Sequence, residues 1–369
     1  MKVEFVDLKK QYRSIKSEID NAIFNVIENA DFILGEQVDL FEKSFAALHG
    51  LKHCISVGNG TDSLFIIMKS LGIKTGDEVI TVCNSWISSS ETISLTGAKP
   101  IFVDIDSETL SMKTEKLKQA KSSRTKAIMP VHLFGNPCDM DFIIDFAKEN
   151  NLYVIEDCAQ AHLAKYKNQL AGTFGIASSF SFFPGKNLGA YGDAGAILTN
   201  DDDLAKKCRM FARHGAIVKH NHIIEGINSR LDNIQAAILN VKIKYIKDWT
   251  NSRRNAANLY LKHLINCPVK PLSVTESSLS SYHLFVIQCD FRDKLMFFLK
   301  KQGISCAIHY PTIIPLQKAY SSSNYSKKDF PVGSQMQDRI LSLPIFPEIT
   351  EKEIVYIVKK INCFYDQKS

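Results

Sequence analysis

Between Ile55 and Ile155 short apolar runs alternate with amphipathic segments, and this alternation restricts the fold more than any other feature of the chain. The runs Ile55-Ser56-Val57, Val79 to Val82, Ile101 to Val103, Ala127 to Val131 and Tyr153 to Ile155 read as strands. Helical segments from Leu64 to Leu71 and from Phe142 to Ala147 lie between them. Strands buried on both faces lose their polar alternation, so this pattern predicts an α/β protein with a mostly parallel sheet covered by helices. Ahead of it, Ile15, Ile19, Ile23 and Ile27 predict one amphipathic helix. Val38, Phe41, Phe45 and Leu48 predict a second, closed by Gly50.

Further on, strands are expected at Ser179 to Phe183 and Ala196 to Thr199. A long helical stretch without Pro or Gly follows from Asn233 to Leu264. The tail from Pro268 holds one expected strand (283–288), two helices (292–301 and 352–361) and a Ser-rich polar loop (321–328). At 369 residues the chain exceeds one ordinary compact domain. The expected boundary lies inside the helical stretch near Trp249, dividing residues 1–248 from 249–369.

Composition mainly excludes. Hydrophobic residues at 45% and charged residues at 23% suit a globular protein, and a net charge of +6 is slight for this length. Lys242, Lys244 and Lys247 read as a solvated helix face. No nucleic-acid footprint is evident, and no apolar run approaches a membrane span. The nine cysteines form neither Cys-x-x-Cys pairs nor a Cys/His cluster, so no metal site is expected. Free thiols and a polar N-terminus make the expected location the cytoplasm.

Three segments carry chemistry. Gly58-Asn59-Gly60-Thr61-Asp62-Ser63 opens a helix after a strand, where free amides attract an anion; an ordinary capped turn is the alternative. It also half-matches a dinucleotide fingerprint, but Ser63 replaces the third glycine. Val154-Ile155-Glu156-Asp157 ends a buried strand in two carboxylates, each able to cap a helix or to pair with a protonated ring nitrogen. Ser181-Phe182-Phe183-Pro184-Gly185-Lys186-Asn187-Leu188-Gly189 places a lysine among glycines after an aromatic strand. A desolvated lysine there is less basic and more nucleophilic, as Schiff-base chemistry requires, whereas a surface lysine would be inert.

Together, "GNGTDSL", "EDCAQAH", "SFFPGKNLGAYGDAGA" and "GINSRLDNIQAA" resemble the DegT-type nucleotide-sugar aminotransferases among the fold type I pyridoxal-phosphate (PLP) enzymes. The resemblance runs from Phe5 to His309-Tyr310-Pro311. It implies a large domain with a mostly parallel seven-stranded sheet and a smaller C-terminal α/β domain. Lys186 would carry PLP and move the proton; Asp157 would hold the ring nitrogen protonated. Gln160 would bond the phenolic oxygen and Trp86 would stack on the ring. Gly60, Thr61, Asp62 and Ser181 would hold the phosphate, together with Asn228 from the neighbouring subunit of a homodimer with shared active sites.

"PGKNLGAYGDAG" is similar to the branch acting at C-3 of dTDP-linked 3-keto-6-deoxyhexoses. On that likeness Lys219, His309 and Tyr310 become substrate candidates, with Phe183 and Tyr191 on the same glycine-rich loop. Arg230 is a candidate for the carboxylate of the donor, L-glutamate. The chain has Leu163 where the family often has glycine, and Ile314-Pro315-Leu316 where it often has a histidine. Both departures bear on the sugar rather than on the coenzyme. A C-4 aminotransferase, a non-catalytic sugar-nucleotide-binding regulator and a dinucleotide-dependent oxidoreductase are the competing expectations. A related dehydratase would carry histidine in place of Lys186.

Overall fold

A computed structural model describes residues 1–367. The chain begins with helices α1 (Leu8–Ser14), α2 (Lys16–Glu28) and α3 (Glu36–His49). Ile19 and Val26 of α2 are buried but Ile27 is 53% exposed. Steps of four residues drift around a helix of 3.6 residues per turn, so the expected apolar row leaves the core and Val26 takes its place. α3 ends as its sequence requires, with Gly50 at φ 67°.

Strands β1 (His53–Val57), β2 (Glu78–Val82), β3 (Lys99–Val103), β4 (Thr125–Met129) and β5 (Tyr153–Asp157) follow. Between them lie helices α4 (Gly60–Ser70), α5 (Ser88–Leu95), α6 (Leu117–Ala120) and α7 (Met140–Glu149). The short β6 (Lys165–Tyr166) and β7 (Gln169–Leu170) precede β8 (Ala177–Ser181) and β9 (Gly195–Thr199). The main sheet has seven strands in the order β1-β9-β8-β5-β4-β2-β3. Only β9 runs against the others: it pairs antiparallel with β1 and β8, while every remaining pair is parallel. The α/β expectation therefore holds, with one reversed strand that alternation alone does not reveal.

Successive residues alternate between two cores, as a pleated strand demands. Val79, Ala127, Met129 and Ile155 face α4 and α8 (Asp202–Ala212). Ile80, Ile128 and Val154 face α7 and part of the C-terminal region. At the β8–β9 end, Phe180, Ala196 and Leu198 pack on α3 and on α9 (Asn233–Lys242).

The expected continuous helix from Asn233 breaks at residues 243–245 into α9 and α10 (Ile246–His263). The break corrects the reading of the three lysines. Lys244 and Lys247 are exposed, but Lys242 is 1% exposed. It is the last residue of α9, and its ammonium is buried against the Gly189 carbonyl.

In the C-terminal region β10 (Val269–Pro271), β12 (Phe285–Cys289) and β13 (Ile340–Leu343) form an antiparallel sheet, and β11 (Ser278–Leu279) joins β6 and β7. The expectation of one strand in this tail was too low. Helices α11 (Arg292–Lys301), α12 (Pro331–Met336) and α13 (Glu351–Asp366) complete it. The start of the expected Ser-rich loop is a 3-10 helix, Lys318–Ser323. A separate core unites Ala257, Tyr260, Ile287, Leu295, Leu341 and Ile357.

Candidate active site

Because β1 and β8 run parallel to β5 and β2, the chemistry-bearing segments all leave the sheet at its carboxyl edge. They close on one cavity of about 600 Å³. β1 delivers Asn59 to Asp62, β2 delivers Ser85 and Trp86, β5 delivers Asp157 and Gln160, and β8 delivers Ser181, Phe183 and Lys186. Tyr310 adds one wall from the C-terminal region.

Asp157 is the last residue of β5 and is 6% exposed. Its carboxylate accepts from Ser89 Oγ at 2.8 Å and from the Ala159 amide at 3.1 Å, which fixes its plane and leaves lone pairs facing the cavity. Its neighbour Glu156 points the other way. It is fully buried and accepts from His132 Nε2 at 3.0 Å and from the amides of Gly172, Phe174 and Gly175 at 2.7, 2.7 and 2.8 Å. Sequence alone could not separate the two acids; strand alternation does. Glu156 builds the turn before β8, and Asp157 serves the site. Glu156, His132 and Cys158 also lie within ligating range of one another. The carboxylate is saturated by donors already named, so the cluster reads as structural.

Lys186 follows the aromatic end of β8. Burial brings its amine down to about 8, against the opposing pull of Asp157. A larger neutral fraction at physiological pH makes it a competent nucleophile toward an aldehyde. Behind it His162 and His283 are held neutral first by burial and then by the charge of Lys186. Asn187 binds the Ser281 carbonyl at 3.0 Å and contacts His283 Nδ1 at 3.2 Å, which ties the lysine loop to the C-terminal region.

The start of α4 is a cradle. A Cβ on Gly60 would lie 2.8 Å from the Ser181 Cβ, and one on Gly195 would lie 2.3 Å from the Asn59 carbonyl carbon. Only glycines let the helix start this close to β8 and β9. The Asn59 side chain caps the helix by accepting from the Asp62 amide at 2.8 Å. That amide, expected to face a phosphate, is thus already engaged. The amides of Gly60 and Thr61, with the Ser181 hydroxyl, remain the donor set. A phosphate fits this donor set.

Gln160 is oriented by the Phe134 amide, which donates to its Oε1 at 2.7 Å, while its Nε2 meets Tyr310 Oη at 3.3 Å. One Nε2 hydrogen is left for a ligand oxygen. Trp86 is 59% exposed with its ring 5.7 Å from Tyr310 at 47°, free to cover a planar ring in the cavity. Phe183 lies on the rim, 56% exposed.

Other candidates lie elsewhere. Tyr191 turns away from the cavity and packs against Tyr12 and Lys242. His309 bonds Ser342 Oγ at 2.8 Å and stacks on Phe5 beside the cavity wall; burial lowers it to about 4. Lys219 and Asn228 are exposed on the segment after α8, and Arg230 follows them; none lines the cavity of its own chain. Sequence reasoning missed Ser89, took Asn59 only as part of a turn with a helix cap, and read Lys242 as solvated. The run Ser88-Ser89-Ser90 behind Trp86 was the available signal for the first.

Residues 13–362 match the DegT/DnrJ/EryC1/StrS aminotransferase family. The chain is 42% identical to a protein of Geobacillus stearothermophilus named pleiotropic regulatory protein, over 99% of both chains. It is also 42% identical to the dTDP-3-amino-3,6-dideoxy-alpha-D-galactopyranose transaminase of Aneurinibacillus thermoaerophilus, over 98% of this chain and 99% of that one. Further relatives carry UDP and GDP in their names. Among solved structures, DesV of S. venezuelae superposes with a TM-score of 0.96 at 34% identity, covering 98% of each chain.

Proposed function

The chain belongs to the DegT/DnrJ/EryC1/StrS aminotransferase family, and from that premise we propose which reaction it performs and with which residues. It is a sugar-nucleotide aminotransferase with pyridoxal 5'-phosphate as coenzyme. The proposed reaction moves the amino group of L-glutamate to C-3 of a dTDP-linked 3-keto-6-deoxyhexose. The likeness of "PGKNLGAYGDAG" to the C-3 branch and the name of the Aneurinibacillus relative favour this substrate. The observation that carries the site assignment is one cavity bringing together a desolvated Lys186, an anchored Asp157 and the start of α4.

Bound there, the coenzyme supplies an aldehyde for amine exchange and a ring that stores an electron pair. Lys186 would hold the coenzyme through its aldehyde, and its amine is the group placed to take up and return a proton. Asp157 keeps a proton on the ring nitrogen; Ser89 and the Ala159 amide hold the carboxylate in place for that task. Gln160 Nε2 would donate to the phenolic oxygen, and Trp86 would cover the ring. Gly60, Thr61 and Ser181 would hold the phosphate. Tyr310 and Phe183 stand where the sugar enters, and His309 supports Tyr310 from behind.

The exposed positions of Lys219 and Asn228, with the half-buried Arg230 outside the cavity of its own chain, support a homodimer in which one subunit completes the site of the other. Phe24, Ile27, Phe32, Ile33, Leu34 and Leu40 leave an apolar surface at the N-terminal helices. Phe32 and Ile33 are bonded to Asn233 and Asp232, close to Asn228. In such a dimer Asn228 reaches the partner's phosphate site, Lys219 the pyrophosphate and Arg230 the donor carboxylate. Among the described residues no helix is long and apolar enough to cross a membrane.

Purified protein with glutamate and a panel of 3-keto and 4-keto sugar nucleotides, read by mass spectrometry, tests the proposal. Amination of the dTDP-linked 3-keto-6-deoxyhexose alone supports it. Amination of a 4-keto substrate instead would move the activity to C-4, and binding without turnover would favour a regulator.

A further inference from the structure

Lys242 is buried at the end of α9, away from the candidate cavity, and the roles assigned above make no use of it. Its ammonium donates to the Gly189 carbonyl at 2.7 Å and lies 4.3 Å from the centroid of the Tyr191 ring. Both partners belong to the loop that leaves Lys186 and returns to β9. On the same face of α9, two turns earlier, Gln235 accepts from the Tyr191 amide at 2.8 Å, and a Cβ on Gly192 would meet it at 3.0 Å. One helix thus grips both ends of the segment 189–192.

We propose that Lys242 is a positioning residue which, with Gln235, holds the Lys186 loop in register against α9. The proposal rests on Lys186 as the coenzyme lysine. A buried cation is costly unless several acceptors repay its lost hydration, so a lysine kept here reports a geometric demand of the loop.

The groups facing Lys242 come from several elements. Tyr191, with its hydroxyl buried and without a hydrogen-bond partner among the described residues, is pushed up to about 12 by burial, with Tyr12 and Asp20 contributing behind it. Glu348, before α13, presents a carboxylate whose oxygens are buried. Burial raises it, while Arg253 of α10 and Lys10 oppose the rise. Burial brings Lys242 to about 7 against the attraction of Glu348. Its charged form holds both the carbonyl and the aromatic ring; its neutral form keeps only the first.

The test compares Lys242→Met with the wild type in full-length protein. In the apoprotein, hydrogen exchange of amides 185–192 is expected to accelerate about tenfold, while exchange in β2 and β4 stays unchanged. In the holoenzyme, the single-turnover rate with glutamate is expected to fall about tenfold below pH 7, the gap narrowing as pH rises through 7. Gln235→Leu is expected to show the same loosening without removing a buried charge, so it keeps the proposal testable should Lys242→Met not fold. Unchanged exchange at 185–192 in whichever variant folds overturns the proposal. So does a rate loss that is the same at every pH in Lys242→Met. A wild type that takes up no coenzyme would instead overturn the assignment of Lys186 itself.

Discussion

At Lys186 and Asp157 the chemistry depends on environment rather than on residue type. The lysine titrates near 8 because it is desolvated, so roughly a tenth of it is neutral at pH 7 and about half at pH 8. Coenzyme capture by the apoprotein is therefore expected to accelerate from pH 7 and level off above about 8. Stopped-flow absorbance checks this, and a plateau delayed beyond pH 10 would mean an ordinary solvated lysine. Asp157→Asn can keep the Ala159 amide on its carbonyl oxygen and turn its NH2 toward Ser89 Oγ, but it offers no charge to the ring nitrogen. Turnover is expected to fall about 10²–10³-fold with coenzyme still bound, a split that absorbance and steady-state kinetics separate. Both residues were legible because a glycine-flanked lysine and an acid at a strand end are local patterns. Lys242 was not: Lys244 and Lys247, which share its charge and its stretch of sequence, are exposed, and the carbonyl and ring that bury it belong to the distant Gly189 and Tyr191.

Among the elements, β5 shows how two adjacent acids come to different work. Glu156 organises the turn at 172–175, and Glu156→Ala would strand the buried Gly172 amide, the part-buried amides of Phe174 and Gly175, and His132. A loss of about 3–5 kcal/mol is expected, seen as reduced soluble yield and an earlier denaturant midpoint. A variant as stable as the wild type would show that water replaces those bonds. The same scale explains which strands sequence could supply. β2, β4 and β5 are apolar on both faces and announce themselves. β6, β7, β10 and β11 are two or three residues long; β6 and β7 pair locally, but β11 pairs with the distant β6, and β10 with β12 across an intervening loop. β13 was hidden in Ile340 to Leu343, a short apolar run before Pro344 preceded only by the short helix α12. The reversal of β9 likewise depends on its neighbours β1 and β8, which its own residues do not specify.

For the whole molecule, buried histidines set the response to acid. His49, held at about 4 by burial, stays neutral in the folded protein while the unfolded chain takes up a proton below about 6.5. Its folded-state pKa is lowered, so its contribution is present above 6.5 and fades as pH falls toward 4, about 2 kcal/mol of it between pH 7 and 5. His49→Leu is expected to flatten the fall of the melting temperature across that interval; an unaltered slope would assign the acid sensitivity to other groups. The proposed dimer yields a separate expectation. Mixing Asn228→Ala with Lys186→Ala subunits should regenerate one complete site per mixed dimer, so activity absent from either parent is expected to return. Continued silence in a verified heterodimer would confine each site to one chain. The most direct test of the account is borohydride reduction of the coenzyme-loaded protein, followed by peptide mass spectrometry. The account predicts a single phosphopyridoxyl group on Lys186 and none after Lys186→Ala; a stoichiometric label on any other lysine, or none at all, would contradict it.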